Sequence, residues 1–295
     1  AGAAIDGRDG GRLPPLVVRA HEGLRGVEHR LALASAQVKS CLLLAGLFAE
    51  EATTVVEPAT TRDHTERMLS AMGAQVRRDG ARISLQPASE LRCVDVDVPG
   101  DFSSAAFWIV FAVLHPDAEV RIENVGLNPS RIGLLRILER MGATVEIDNA
   151  RDVAGEPVGD VVARSSQLQA TIVDADLVAL AIDEVPLVAL LGAFAEGETI
   201  VRGAHELRAK ESDRLTVVYE GLKRLGAEID LADDGWRVRP ATLREGRVSS
   251  YGDHRMAMLF AVAGAVGEGV EIEDADCVAI SYPTFWNDLA ALSNR

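Results

Sequence analysis

Basic side chains stand where the sequence predicts that helices begin. Arg208, Lys210 and Arg214 precede or open a stretch with the apolar spacing of an amphipathic helix. A helix start already carries positive partial charge and unpaired N–H groups, so added cations are unfavourable there unless an anion binds. The pattern recurs at Asp253-His254-Arg255 and at Thr61-Arg62-Asp63-His64. These segments therefore predict a site for small anions.

The overall composition limits what kind of protein carries this site. A chain of 295 residues is long enough for two domains, and 48% hydrophobic with 4% aromatic residues is typical of a globular α/β or α+β fold. The formal charge of −15 argues against a nucleic acid partner, because phosphate backbones require a basic surface. An acidic exterior with local basic clusters favours small anionic partners.

The cysteines and the apolar runs indicate a cytoplasmic protein. Cys41, Cys93 and Cys277 are odd in number and widely spaced, which predicts neither a disulfide framework nor a metal site. The longest apolar runs are shorter than the roughly 20 residues that a bilayer requires, so no membrane partner is expected.

A repeated pattern organises the chain. Gly-Ala, one further residue and a β-branched residue occur four times, and three of the four glycines follow a helical pattern as C′ residues. Each repeat also predicts an earlier helix and a strand after it. These helices are Ala36 to Ala49, Ser103 to Leu114, Val185 to Ala195 and Met256 to Val266, and the strands are Thr53 to Glu57, Glu119 to Glu123, Glu198 to Arg202 and Val270 to Ile272. The predicted module is βαβαββ, of about 70 residues.

The best domain boundary is the Pro-Gly turn at Val98 to Asp101. We therefore expect residues 1–100 to be the remainder of one domain, with a strand pair and a full module, and residues 101–295 to be a second domain with two full modules and a partial third. The chain begins with Ala1, and both terminal modules are incomplete, which predicts a start that is processed or truncated.

Several segments together resemble the enolpyruvyl transferase family. The resemblance covers nearly the whole chain and favours the branch that uses shikimate 3-phosphate over the branch that uses UDP-N-acetylglucosamine. Its carriers are Ala34 to Ser40, Thr61 to Thr65, Gly100 to Ala105, Ile182 to Glu184, Lys210 to Arg214 and Tyr251 to Met258. Singly each motif is weak, and jointly their order is specific.

The resemblance implies a two-domain fold of repeated βαβαββ units, in an inside-out α/β barrel-like arrangement whose N-terminal part is missing here. It implies transfer of the enolpyruvyl group of phosphoenolpyruvate to the 5-hydroxyl of shikimate 3-phosphate, in the shikimate pathway of aromatic amino acid biosynthesis. No metal or organic cofactor is implied, the substrates are the only partners, and a monomer is expected.

Residue roles follow from the resemblance by position. Asp183, Lys210 and Glu211 match catalytic residues: the acceptor of the hydroxyl proton, the lysine near the bridging oxygen, and the residue of proton exchange at the methylene carbon. The remaining residues, with Asp183 and Lys210, match substrate-binding positions: Ser35, Ala36, Gln37, Arg62, Arg214, His254 and Arg255. Glu206 stands where some members have asparagine, and Ile280 where some have lysine.

Simpler interpretations compete with these roles. Taken singly, three charged residues are typical of solvated positions on a helix: Arg62, Arg214 and Glu211. Asp183 alone is typical of a helix cap, and Lys39 alone is typical of a surface lysine. At the level of the chain, the alternatives are a non-catalytic fragment or an enzyme of the UDP-N-acetylglucosamine branch.

Overall fold

The structure, a computed structural model, describes residues 1–19 and 23–293, with the side chain of residue 293 left out. It divides into two units. Unit 1 consists of Ala1–Val98 with Asp152–Glu156, and unit 2 of Pro99–Arg151 with Pro157–Arg295. The described strands form five separate sheets, and none of them closes into a barrel.

Unit 1 contains a hairpin followed by one complete module. The elements are β1 (Ala4–Gly7), the short helical turn α1 (Arg8–Gly11), β2 (Leu13–Arg19), β3 (Glu28–Arg30), α2 (Ala36–Gly46), β4 (Thr53–Val56), α3 (His64–Ala71), β5 (Val76–Asp79) and β6 (Arg82–Leu85). The sheet order is β3-β4-β6-β5, with β3 and β4 parallel and the other pairs antiparallel. Leu43 of α2, Val55 of β4 and Ile83 of β6 have no exposed surface and anchor its core.

Unit 2 repeats this arrangement. Its elements are α4 (Phe102–Leu114), β7 (Glu119–Gly126), α5 (Gly133–Arg140), β8 (Thr144–Val153), β9 (Glu156–Arg164), β10 (Ile172–Val173), α6 (Ala175–Ala181), α7 (Val185–Phe194), β11 (Thr199–Val201), α8 (Arg214–Arg224), β12 (Glu228–Ala232), β13 (Gly235–Arg239), β14 (Gly246–Ser249), α9 (His254–Val266), β15 (Val270–Glu273) and α10 (Phe285–Ser293). The order β10-β11-β13-β12 reproduces that of unit 1, as expected for a repeated module.

Three apolar helices form the centre of unit 2. Most residues of these helices are buried, 11 of 13 in α4, nine of ten in α7 and eight of 13 in α9, because the helices are largely apolar and pack on one another. The strands β7 and β15 alternate in exposure and lie outside them. Because the helices lie inside unit 2 and the strands lie outside them, the first residues of these helices lie at the edge of the core.

No single helix among the described residues is both long and apolar enough to span a bilayer. The bent pair α6 and α7 passes on length and composition alone, with an angle of 112° between the two helices. In the structure α7 is core: nine of its ten residues are buried within unit 2.

The predicted α/β fold of repeated βαβαββ units is confirmed. Gly73, Gly142 and Gly226 follow α3, α5 and α8 with φ of +93°, +77° and +95°, the left-handed conformation expected of C′ glycines. The helix predicted over Ala36 to Ala49 ends earlier, at Gly46. Gly46 packs so tightly on β4 that a Cβ there would lie 2.8 Å from Thr53 Cβ.

Candidate active site

Three basic side chains converge on Asp183, which lies between α6 and α7. Lys210 Nζ is 3.8 Å from Asp183 Oδ1, and Arg214 Nη1 is 3.6 Å from the same atom. Arg255 Nη2 is 4.0 Å from Asp183 Oδ2. Lys210 and Arg255 retain partial exposure, whereas Arg214 has none. Residues from three separate motifs of the sequence therefore meet at one carboxylate.

Two further acids hold the Arg214 guanidinium. Nε lies 2.8 Å from Oδ2 of the fully buried Asp253, and Nη2 lies 2.6 Å from Oε2 of Glu211. Burial alone would raise the pKa of Asp253, but the hydrogen bond and charge of Arg214 lower it below its ordinary value. Arg214 Nη1, in contrast, is a buried donor without a hydrogen-bond partner. The interpretation of Arg214 as a solvated helix charge is wrong.

Carboxylates cap two of the three helix starts at which the sequence predicts excess positive charge. Asp213 precedes α8 and accepts a hydrogen bond from Thr216 N at 3.2 Å. Asp253 precedes α9 and accepts from Arg255 N at 3.0 Å. Arg208 pairs with Asp213 at 2.8 Å, and so it does not join the cluster at Asp183. The capping carboxylates offset part of the positive charge at these two helix starts, so the excess is smaller than the basic residues alone indicate.

His254 is the first residue of α9 and is half-buried. Burial and then the neighbouring charge of Arg255 lower the pKa of His254 below 6.5. The imidazole is therefore mainly neutral at pH 7, and an anion bound nearby would favour its protonation.

Lys210 has a second acidic neighbour. Glu206 Oε1 lies 3.1 Å from Lys210 Nζ, one helical turn earlier, and its side chain is mostly exposed. Lys210 is thus shared between a surface acid and Asp183. A surface ion pair of this kind contributes little stability, so Glu206 competes only weakly with an anionic ligand for Lys210.

The predicted residues of unit 1 lie at two helix starts. Ser35 is the N-cap of α2 and accepts a hydrogen bond from Val38 N at 3.3 Å. Ala36 and Gln37 are the first two residues of α2, where the backbone N–H groups are unpaired. Arg62 is half-buried and lies just before α3.

Lys39 links the starts of α2 and α3, and the interpretation of it as a surface lysine is wrong. Its side chain is fully buried, with Nζ 2.7 Å from Glu66 Oε1 and 3.2 Å from Glu57 Oε2. Lys39 Nζ also donates to the carbonyl oxygen of Thr61 at 3.5 Å, next to Arg62. The Ser40 and Thr65 hydroxyls share a hydrogen bond of 2.7 Å. In unit 1, Ser35, Gln37 and Arg62 therefore lie at or just before the starts of two helices that are held together by these contacts.

Asp183 does not occupy the N-cap position of α7. That position is Glu184, whose own side chain makes no capping hydrogen bond. Glu184 was missed by sequence reasoning, although an acid next to Asp183 before an apolar helix was a visible signal. Its side chain accepts a hydrogen bond from Ser103, and Arg131 donates to Ser103.

Comparison with known proteins gives first the class and then the family. An enolpyruvyl transferase, NikO from Streptomyces tendae, superposes with a TM-score of 0.71 at 21% identity, over 99% of this chain and 68% of that one, which shows the enolpyruvyl transferase fold alone. The family model described as EPSP synthase (3-phosphoshikimate 1-carboxyvinyltransferase) matches residues 1–289. The chain belongs to the EPSP synthase family.

Individual relatives agree with this assignment. A 3-phosphoshikimate 1-carboxyvinyltransferase of Syntrophomonas wolfei is 48% identical over 99% of this chain and 69% of its own length. One of Geobacillus kaustophilus is 46% identical with the same coverage. A solved EPSP synthase from Acinetobacter baumannii superposes with a TM-score of 0.91 at 42% identity, over 98% of this chain and 67% of that chain.

Proposed function

We propose that the chain transfers the enolpyruvyl group of phosphoenolpyruvate to the 5-hydroxyl of shikimate 3-phosphate and releases phosphate. The observation that carries the proposal is the meeting of Lys210, Arg214 and Arg255 at Asp183. A carboxylate among cations offers a proton acceptor beside a binding site for an anion, and both are needed when a hydroxyl attacks an anionic enol phosphate.

Two carboxylates, Asp183 and Glu211, have roles in the addition step. Asp183 accepts the hydroxyl proton as the substrate oxygen bonds to the central carbon of phosphoenolpyruvate. The methylene carbon gains a proton, with Glu211 as the exchanging group and Lys210 beside the bridging oxygen. In the elimination step the bond between the central carbon and the phosphate oxygen breaks, the methyl group returns a proton to Glu211 to restore the double bond, and the proton held by Asp183 leaves with the phosphate.

The anionic groups have matching donors. The planar guanidinium group of Arg255 is suited to a carboxylate or phosphate, and Nη1 of Arg214, which has no hydrogen-bond partner, supplies a further donor. His254 gains a proton as negative charge approaches. In unit 1, Ser35, Ala36 and Gln37 offer a helix start and Arg62 a cation to shikimate 3-phosphate. The proposed partners are small molecules only, and the proposed enzyme is a cytoplasmic monomer.

Calorimetric titration with shikimate 3-phosphate, followed by a phosphate-release assay with phosphoenolpyruvate, tests the proposal on the 295-residue chain. We expect binding and turnover, with turnover reduced by about 100-fold or more in Lys210→Ala and Arg255→Ala at an unchanged melting temperature. The control is Arg247→Ala, which changes an exposed arginine of β14.

Three other outcomes of these measurements would argue against the proposed function or the proposed site. Binding without turnover supports the non-catalytic alternative for this chain. Retained activity in both variants contradicts the assignment of the site. Turnover of UDP-N-acetylglucosamine in place of shikimate 3-phosphate contradicts the proposed substrate.

A further inference from the structure

Glu184, next to Asp183, begins a chain of polar contacts that ends on α4. Glu184 Oε1 accepts from Ser103 Oγ at 2.5 Å, and Ser103 Oγ accepts from Arg131 Nη2 at 2.8 Å. Arg131 Nη2 also donates to Asp101 Oδ1 at 3.0 Å. Asp101 is the N-cap of α4 and accepts from Ser104 N. These contacts tie the start of α7, and the connection that carries Asp183, to the start of α4.

The surroundings of Glu184 disfavour its charged form. The residue is only 3% exposed, and its own N–H donates to the carbonyl oxygen of Ala181. Burial raises the pKa of Glu184 to about 7; the hydrogen bond from Ser103 lowers it, the charge of Asp183 raises it, and Arg255 and Arg131 lower it. Burial outweighs the nearby cations because they are shared with other acids.

We propose that Glu184 is a positioning residue: its carboxyl group, buried and hydrogen-bonded to Ser103, fixes the Asp183 connection against α4 and leaves Arg255 to Asp183 and the anionic substrate. The inference rests on the proposed function. An ionised Glu184 would repel Asp183 and attract Arg255, so it would compete with an incoming carboxylate or phosphate for the same guanidinium. The neutral form holds the backbone in place and adds no competing charge.

Two substitutions separate shape from charge. Glu184→Gln keeps the size and the acceptor that receives the Ser103 hydrogen bond but does not ionise, whereas Glu184→Ala removes the anchor. Glu268→Ala is the control, because Glu268 is an exposed acid between α9 and β15. The measurement is the calorimetric Kd of phosphoenolpyruvate with shikimate 3-phosphate present, between pH 6.0 and 8.5.

We expect Glu184→Ala to weaken binding by about tenfold at pH 6, and Glu184→Gln to stay within about twofold of the parent. Above pH 7 the parent should lose affinity relative to Glu184→Gln, because only the parent gains the competing charge. A purely structural role would give no such difference in pH profile. Parent-like binding in Glu184→Ala, no rescue in Glu184→Gln, or identical pH profiles in parent and Glu184→Gln would overturn the proposal.

A second measurement needs no substrate. Since the pKa of Glu184 is raised from 4.5 to about 7, the native state keeps a proton that the unfolded chain has released, and this stabilisation is lost as pH rises toward and through 7. The melting temperature of the parent should therefore fall relative to that of Glu184→Gln between pH 5.5 and 8. If the parent binds neither substrate, the proposed function fails on its own. Parallel melting profiles would overturn the inference about Glu184.

Discussion

Arg214 Nε lies 2.8 Å from Asp253 Oδ2, and neither side chain has any exposed surface. The two residues are 39 positions apart and come from the starts of α8 and α9. Asp253 also accepts hydrogen bonds from Ser212 Oγ and from Arg255 N. One buried carboxylate therefore orients Arg214 and fixes the backbone of Arg255, the two arginines of the proposed anion site.

Replacing Asp253 tests whether this pair is structural as well as functional. Asp253→Ala leaves the Arg214 charge buried without its main partner, and we expect a loss of about 3 to 5 kcal/mol in the free energy of unfolding in urea. The matched control is Asp230→Ala, which removes an exposed partner of Arg239 and should cost less than about 1 kcal/mol. Equal losses in the two variants would contradict the importance of burial.

Replacing the buried Lys39 of unit 1 should reverse how the free energy of unfolding depends on pH. In the parent, burial raises the pKa of Glu57, but Thr61, Lys39 and Arg78 together bring it below 4.5. This contribution is present above pH 4.5 and lost on acidification through the lowered value. In Lys39→Met, Glu57 loses one of the charges that offset its burial, so the variant should become more stable as Glu57 takes up a proton.

Urea unfolding at pH 7.5 and 5.5 measures this effect. We expect Lys39→Met to cost about 3 kcal/mol or more at pH 7.5 and less at pH 5.5. Lys223→Met, which alters an exposed lysine beside Tyr219, is the control and should leave the free energy of unfolding nearly unchanged at both pH values. A larger loss at the lower pH would be the contrary result.

Gly221 in α8 should resist a substitution that usually stabilises helices. A Cβ at Gly221 would lie 2.2 Å from Phe260 Cζ of α9, in the packed centre of unit 2. Alanine gains about 1 kcal/mol of helix propensity over glycine, whereas overpacking costs about 1 to 3 kcal/mol. Gly221→Ala is therefore expected to lower the free energy of unfolding.

The double variant Gly221→Ala with Phe260→Leu identifies the cause. If the smaller leucine side chain at position 260 relieves the clash, the double variant should lose less free energy of unfolding than the sum of the two single losses. A double-mutant cycle measured by urea unfolding tests this. Additive costs would mean that the helices shift without conflict at this contact.

The repeat was readable from sequence because its signals are local. A glycine after a helical pattern, as at Gly73, Gly142 and Gly226, reflects a backbone conformation that only nearby residues determine. Helix and strand types followed from the periodicity of apolar residues. The end of α2 was misplaced because the close approach of Gly46 to Thr53 is a tertiary contact.

The site could be predicted only in part from the sequence, because it also depends on tertiary contacts. Spacing indicated which cations stand near helix starts, but not which acids face them. The burial of Lys39 with Glu57 and Glu66 joins three elements, and nothing in the local pattern of α2 distinguishes this lysine from an exposed one. Glu184 was overlooked because its role depends on Ser103, which lies 81 positions away.

His254 provides a direct measure of whether an anion binds at the start of α9. Its pKa is lowered by burial and by Arg255, so its contribution to stability is present above 6.5 and lost as pH falls through the lowered value. In an NMR titration we expect a midpoint below 6.5, and a higher midpoint with inorganic phosphate, because a bound anion offsets the charge of Arg255. The signal of His205, which is exposed, is the internal reference and should not respond to phosphate. A His254 midpoint that phosphate leaves unchanged, while the anion binds by calorimetry, would place the anion away from this helix start.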